Sequence, residues 1–298
     1  MSSFTQIDLS TLPAPNVVES LSFESILAAM LADLQARDPA FSALVESDPA
    51  YKILEVCAYR ELIVRQRVND AARATMLAYA VGADLDQIGA LFGVARFTIT
   101  PANPAAVPPV AAVMETDKEF RRRIQLSLEG FSVAGPEGAY IFHSLSADAD
   151  VLDVTATSPS AGEVLISVLS RVGNGIPTTE LLNKVSAALN ATSIRPITDL
   201  VTVQAAAKVD YAVTAEIYTY IGPDSAVVQA AATTALNTYI ASVRRVGFDV
   251  TLSGIYAALH QPGVQRVVLT SPASNVVINA TQYAHCTGIT LTSQSADE

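Results

Sequence analysis

The sequence predicts an α+β multidomain protein, with an N-terminal helical arm followed by two small ferredoxin-like α+β units. Three observations predict it. Apolar residues recur at helical spacing over residues 22–92. Past Gly135 and Pro136, short alternating runs bounded by Gly, Pro and Ser turns interleave with helical stretches. A helix–strand–Ser-Pro–strand pattern then occurs twice. It is Ile141-Phe142-x-x-Leu145, Val151-x-x-Val154, Ser158-Pro159 in the first copy, and Ile255-Tyr256-x-x-Leu259, Val264-x-x-Val267, Ser271-Pro272 in the second. The expected division is a helical arm over 1–95, a Pro-rich linker and helix over 96–135, and α+β units over 136–205 and 206–298.

In chain order, residues 1–20 read as extended, because Pro13 and Pro15 block an early helix. Ser22 caps a helix that Asp38-Pro39 ends. Asp48-Pro49 opens a long helix over 49–81, with Pro49 at the tolerated first position and Gly82 as the stop. On it, Ile53, Cys57, Val64, Val68 and Ala71 share one face, while Tyr59, Leu62, Ile63 and Leu77 lie off that face. A helix apolar on more than one side packs on more than one side. Cys57 reads as a small core residue. A short helix over 85–92 closes at Gly93.

Pro101, Pro104, Pro108 and Pro109 among Ala and Val mark 98–113 as a linker. Thr116-x-x-Glu119 is a capping box for a helix over 120–129. Its Arg121, Arg122 and Arg123 read as a solvated face with one inward salt bridge. A helix over 137–145 leads to strands over 151–157 and 163–169 around a 158–162 turn. Pro177 opens a helix to Leu189, and strands follow over 199–204 and 209–220. Pro223-Asp224 starts an Ala-rich helix to Arg245. A strand over 248–252, a helix over 254–260 and strands over 264–270 and 276–280 complete the reading.

Composition narrows the function. Lys and Arg number 18 against 29 Asp and Glu, a net charge of −11, so nucleic acid is not an expected partner. Half of the residues are hydrophobic, which excludes wholesale disorder. Two cysteines cannot make a disulfide scaffold. Alanine makes up about a sixth of the chain, above ordinary usage. Mean hydropathy is +0.35, high for so few membrane features. No helical run reaches the roughly 18 apolar residues a span needs, and residues 267–296 are broken by Pro272, Asn275, Asn279 and many Thr and Ser. The first ten residues have neither a basic nor an apolar signal region. The expectation is a cytoplasmic chain with no membrane partner, part of whose apolar surface is covered by other chains.

The residues that carry chemistry form no constellation. His143, His260 and His285 stand at no metal-ligating spacing, and His285 beside Cys286 lacks further ligands. No G-x-S-x-G, P-loop or G-x-G-x-x-G is present. The Asp148/Asp150 and Asp84/Asp86 pairs are explained by capping. The expectation is therefore no catalytic residue, no cofactor, no metal and no enzyme. The alternative is a soluble cytoplasmic enzyme with an unrecognised active site, which needs a pocket of convergent polar groups.

Asp48-Pro-Ala-Tyr-Lys-Ile-Leu-Glu55, Ala58-Tyr-Arg-Glu61, Arg65-Gln-Arg-Val-Asn-Asp-Ala-Ala72, Leu77-Ala-Tyr-Ala80, Gly82-Ala-Asp-Leu-Asp86 and Leu91-Phe-Gly-Val94 resemble the baseplate J family of contractile phage tails and R-type pyocins. Further matches keep the family order: Leu12-Pro-Ala-Pro15, Leu128-Glu-Gly-Phe-Ser132, Ala134-Gly-Pro136, Ala139-Tyr-Ile-Phe-His143, Asp153-Val154, Arg195-Pro-Ile-Thr-Asp199 and Gly263-Val264. The stretch from Gln282 matches least.

The resemblance implies a structural wedge protein without catalytic residues. Its implied partners are a second copy of itself, a smaller I-type wedge protein, and sheath-initiator and hub-side proteins. Six wedges would ring the hub and trigger sheath contraction. The implied location is the host bacterial cytoplasm during assembly, then the baseplate; phage and headless pyocin both remain open. On this reading Ile53, Val64 and Val68 meet one partner helix, Tyr59 and Ile63 another, and Leu77 adds to the interface. Self-pairing falls on the charge-poor second α+β unit.

Overall fold

The computed structural model describes residues 7–13, 15, 17–222 and 224–295. Residues 1–6, part of the expected extended start, and Pro223, the expected helix opener, lie outside the described residues. The chain divides into two compact units, Ile7–Arg96 with Thr116–Arg121, and Phe97–Glu115 with 122–295.

The first unit is helical. Ser22 accepts from the Ser25 amide and starts α1 (Phe23–Arg37), and Asp38-Pro39 ends it, as its residues predict. Helix α2 spans Pro49–Ala74 and stops short of the expected residue 81. Residues 75–79 turn instead, closed by the Ala80 amide on the Met76 carbonyl at 2.8 Å. Arg121 donates to the carbonyls of Leu77 (2.6 Å) and Ala80 (2.7 Å). These acceptors, which a continuing helix would use itself, are thus satisfied from another element. Gly82, at φ +53°, does not end α2 but begins α3 (Gly82–Leu91), and Gly93 closes α3 as expected. The Glu19 backbone is held by buried Asn69, which accepts from its amide at 3.0 Å and donates to its carbonyl at 2.9 Å. Nothing in the periodicity of α2 announced this strap.

The second unit opens on a hairpin where a linker was expected. Strand β1 (Thr98–Thr100) pairs with β2 (Val113–Met114), and Asn103 bridges Val110. Its root is a buried ion pair. Glu115 accepts from Arg123 at 2.8 and 2.6 Å and from the Phe97 amide at 3.1 Å, and the guanidinium lies over the Phe97 ring at 4.1 Å. The prolines sit in the connecting loop, where no ladder donor is missed. Helix α4 (Asp117–Leu126) carries the expected capping box, with the Glu119 amide on Thr116 Oγ1 at 3.3 Å. Its three arginines are not a solvated face. Arg121 binds the two carbonyls above, Arg122 pairs with Asp153 at 2.7 Å, and Arg123 with Glu115. Charge density alone could not reveal three separate inward partners.

Helix α5 (Glu137–Leu145), β3 (Val151–Thr157), β4 (Glu163–Ser170), α6 (Thr179–Leu189) and β5 (Leu200–Ala205) form the first sheet layer. Its order is β3-β4-β5, antiparallel then parallel. The second layer is β6 (Ala207–Thr219), α7 (Ser225–Val243), α8 (Leu252–Leu259), β7 (Val264–Ser271) and β8 (Gln282–Ser295), ordered β7-β6-β8, again one antiparallel and one parallel pair. Of the ferredoxin-like expectation, the small helix-backed α+β unit is what is observed; each sheet has three strands rather than a fourth antiparallel one.

The sequence echo has a structural counterpart in permuted order. Helix α5 packs on β3 and α6, and α6 on β5; correspondingly α8 packs on β7 and α7, and α7 on β8. In the first unit the helix–antiparallel-strand pair precedes the central strand. In the second it follows. The echo therefore matches at α5–β3 and α8–β7 and fails at the next strand: Val276 makes only a bridge to Val250, and the segments read as strands over 248–252 and 276–280 are otherwise irregular, save Leu252, which begins α8. The last strand among the described residues is β8, rich in Thr and Ser.

Each sheet has its own core. Leu126, Tyr140, Ile166, Val168, Val185 and Leu189 are buried in the first. Val213, Ile217, Leu236, Ile255 and Leu259, all 0 % exposed, anchor the second. Much of the apolar, charge-poor C-terminal stretch is consumed here, since Val250, Val264, Ile278 and Tyr283 are buried as well.

Candidate functional site

Helix α2 has 26 residues, so at about 1.5 Å per residue it is roughly 39 Å long. One side packs on α1. Ala58 is fully buried, and Tyr51, Leu54 and Leu62 pack with Phe23, Ile26, Leu27, Met30 and Leu31. Leu54, Ala58 and Leu62 are four residues apart and stack on one face.

The opposite side is exposed and apolar. Ile53 is 64 % exposed, Val64 63 %, Val68 56 %, Tyr59 56 % and Ile63 43 %. At 100° per residue these side chains, with Val56 and Cys57, form one broad band rather than two separate faces. The side chain that sequence reasoning missed is Val56, 62 % exposed; its signal was the three-residue step from Ile53. Cys57, expected in a core, is an exposed free thiol. Leu77 is not on this band. It sits half-buried in the turn after α2, because the helix ends at Ala74.

The band carries two cations, Arg60 and Arg67, which form no ion pair among the described residues. Arg65, on the α1-facing side, is different. Its hydrogen bond and charge pairing with Glu61 at 2.7 Å hold its guanidinium above the usual range, and Glu19 adds a 3.2 Å contact. A surface that is apolar, long and sparsely cationic is complementary to another amphipathic helix carrying carboxylates.

Other candidate places hold committed groups. An open groove of about 460 Å³ is lined by Ser22, Ser25, Met30, Glu61 and Arg65. Ser22 caps α1 and donates to Glu24, and Glu61 holds Arg65. His143 is half-buried and edge-on to Phe142, with Nε2–H donating to the Gly130 carbonyl at 3.1 Å. Burial pushes its pKa down, against the raising effect of that carbonyl. His285 and Cys286 lie in β8 opposite Asp210 and Tyr211 of β6; burial raises the Cys286 thiol. Among the described residues no three His, Cys, Asp or Glu side chains are grouped to hold a metal ion, and no helix is long and apolar enough to cross a membrane.

Comparison with known proteins gives a consistent result. Residues 46–103 match the Baseplate J-like N-terminal domain, which contains α2. Residues 132–205 match the Baseplate J-like central domain and 211–292 the Baseplate J-like protein C-terminal domain. The chain is 51 % identical to baseplate protein J of Escherichia phage P2, over 98 % of this chain and 99 % of that relative. This chain belongs to the baseplate J family.

Proposed function

We propose that this protein is a structural, non-enzymatic wedge component of the baseplate of a contractile tail, in a phage or an R-type pyocin. It assembles in the host bacterial cytoplasm and ends in the baseplate of the particle. Wedges containing it form the ring that holds the hub and triggers sheath contraction. The outer band of α2 is where helices of partner chains dock, namely a second copy and a smaller I-type wedge protein. Sheath-initiator and hub-side proteins bind the assembled ring.

The observation that carries this reading is the α2 band itself: a long exposed apolar face with two arginines that form no ion pair among the described residues, inside the N-terminal family segment. The division of labour in this reading is that residues 1–95 bind partners, 96–135 connect, and 136–205 and 206–298 supply the ring scaffold, the last of these pairing with its own copy. Burying a large aliphatic side chain is worth about 1.5–3 kcal/mol, so a charge in the middle of the band opposes docking strongly. Ile63→Asp, co-expressed with the neighbouring wedge genes, is expected to lose the partner in affinity co-purification while the chain itself stays folded by circular dichroism. Co-purification at wild-type stoichiometry moves the docking surface elsewhere.

A further inference from the structure

The central and C-terminal family segments match as separate modules, at 132–205 and 211–292. A flexible joint between them is the ordinary expectation for modules in one chain. The structure has the opposite design. Strand β5 ends at Ala205 and β6 begins at Ala207, leaving one connecting residue, Ala206, which is itself buried. Around it lies a separate apolar plug of Leu169 from β4, Val246 and Tyr283, with Leu152 against them. The plug is tight: a Cβ on Gly175 would stand 2.7 Å from Leu169 and 2.9 Å from Tyr283. Polar bonds ring it. Tyr283 donates to the Asn174 carbonyl at 2.8 Å, Arg244 to the Gly173 carbonyl at 2.9 Å, and Thr155 to the Ala280 carbonyl at 2.5 Å.

At one edge stands Asp153, a carboxylate on β3 that is 2 % exposed. Aspartate is disfavoured in strands, and a buried carboxylate is expensive unless each oxygen is matched. Asp153 Oδ1 accepts from Arg122 at 2.7 Å. Its Oδ2 accepts from the Val246 amide at 3.0 Å and faces Arg245 Nε at 3.4 Å. Arg245 is fixed in turn over the Phe248 ring at 4.5 Å. Two of the three donors thus come from the C-terminal segment. Parting the two sheet units would leave Asp153 with Arg122 alone, so docking is favoured as an all-or-none state.

We infer that Asp153 is a latch that locks the two sheet units into one rigid body, so that residues 136–295 move together and bending occurs outside them. Nothing in this depends on the baseplate role, since it concerns the mechanics of the folded chain alone.

The test uses the full-length chain with Cys57→Ser and Cys286→Ser, spin-labelled at Ala187→Cys on α6 and Asn237→Cys on α7, both exposed positions. Pulsed dipolar spectroscopy is expected to give one narrow distance population. A broad or split population in this otherwise native chain overturns the rigid body outright. Asp153→Asn, and more mildly Arg245→Met, are expected to lose the narrow population while β4 and β6 keep their hydrogen-exchange protection. If Asp153→Asn fails to fold, Arg245→Met decides. A narrow population retained in the folded variants removes Asp153 from the latch role.

Discussion

The helical unit and the sheet units treat apolar surface in opposite ways. In the second sheet unit β6 runs through the centre, and every inward side chain from Tyr211 to Ile217 is buried by α7, α8 and the flanking strands. In the helical unit α2 packs on α1 and holds the Glu19 strap through Asn69, and its buried apolar set with α1 is Ile26, Leu27 and Ala58. The far side of α2 keeps six large apolar side chains in solvent, Ile53, Val56, Tyr59, Ile63, Val64 and Val68. One region buries its apolar side chains within the chain; the other leaves a band of them exposed. The same residue types therefore do different work in the two places, and substitution separates them.

The largest effect is expected at the root of the hairpin. Glu115→Ala leaves the Arg123 charge buried without its carboxylate and is expected to cost about 3–5 kcal/mol in urea unfolding. Next comes the core of the complete region. Leu236→Ala removes a fully buried side chain and is expected to cost about 2–5 kcal/mol, whereas Ile53→Ala on the α2 band should change the stability of the isolated chain by no more than about 0.5 kcal/mol. Equal losses at the two positions would show that the band is covered within the single chain.

Asn69→Ala is expected to cost about 1–3 kcal/mol, because it removes two hydrogen bonds between a buried side chain and the Glu19 backbone, each worth about 0.5–1.5 kcal/mol. It should also speed proteolysis within residues 7–20. The smallest effect is a pH dependence. Burial lowers the His143 pKa in the folded state relative to its ordinary 6.5. The unfolded chain then takes up a proton first as pH falls, so stability drops below about pH 6.5 and levels off beneath the lowered folded value. His143→Gln should remove this component from urea midpoints measured on either side of that pH. An unchanged slope would assign the pH dependence to other groups.

Much of the local structure was legible. Ser22, the Asp38-Pro39 stop, the Thr116–Glu119 box and the 137–145 helix are short-range devices, and each acts as its residues predict. The misses share one cause. The end of α2 depends on Arg121 from a later helix, the hairpin at 98–114 on Glu115 and Arg123, and β8 on the length of β6 beside it. All are partnerships between residues far apart in sequence or hidden by composition. The candidate band shows the same split. Exposed Ile53, Tyr59, Ile63, Val64 and Val68 were identifiable as surplus apolar positions, but which side of α2 faced α1 was not.

By itself, the sequence determined the helical and sheet regions, the family and the excess of apolar side chains, because periodicity, caps and turns are encoded within a few residues. The tertiary structure decided where that excess lies. It also decided that a proline-rich stretch is an anchored hairpin, and that Asp153, one acidic residue in a strand, draws together α4, β3 and the turn before Phe248. A buried charge is tolerated only where its partners converge, and convergence is a property of the folded chain alone.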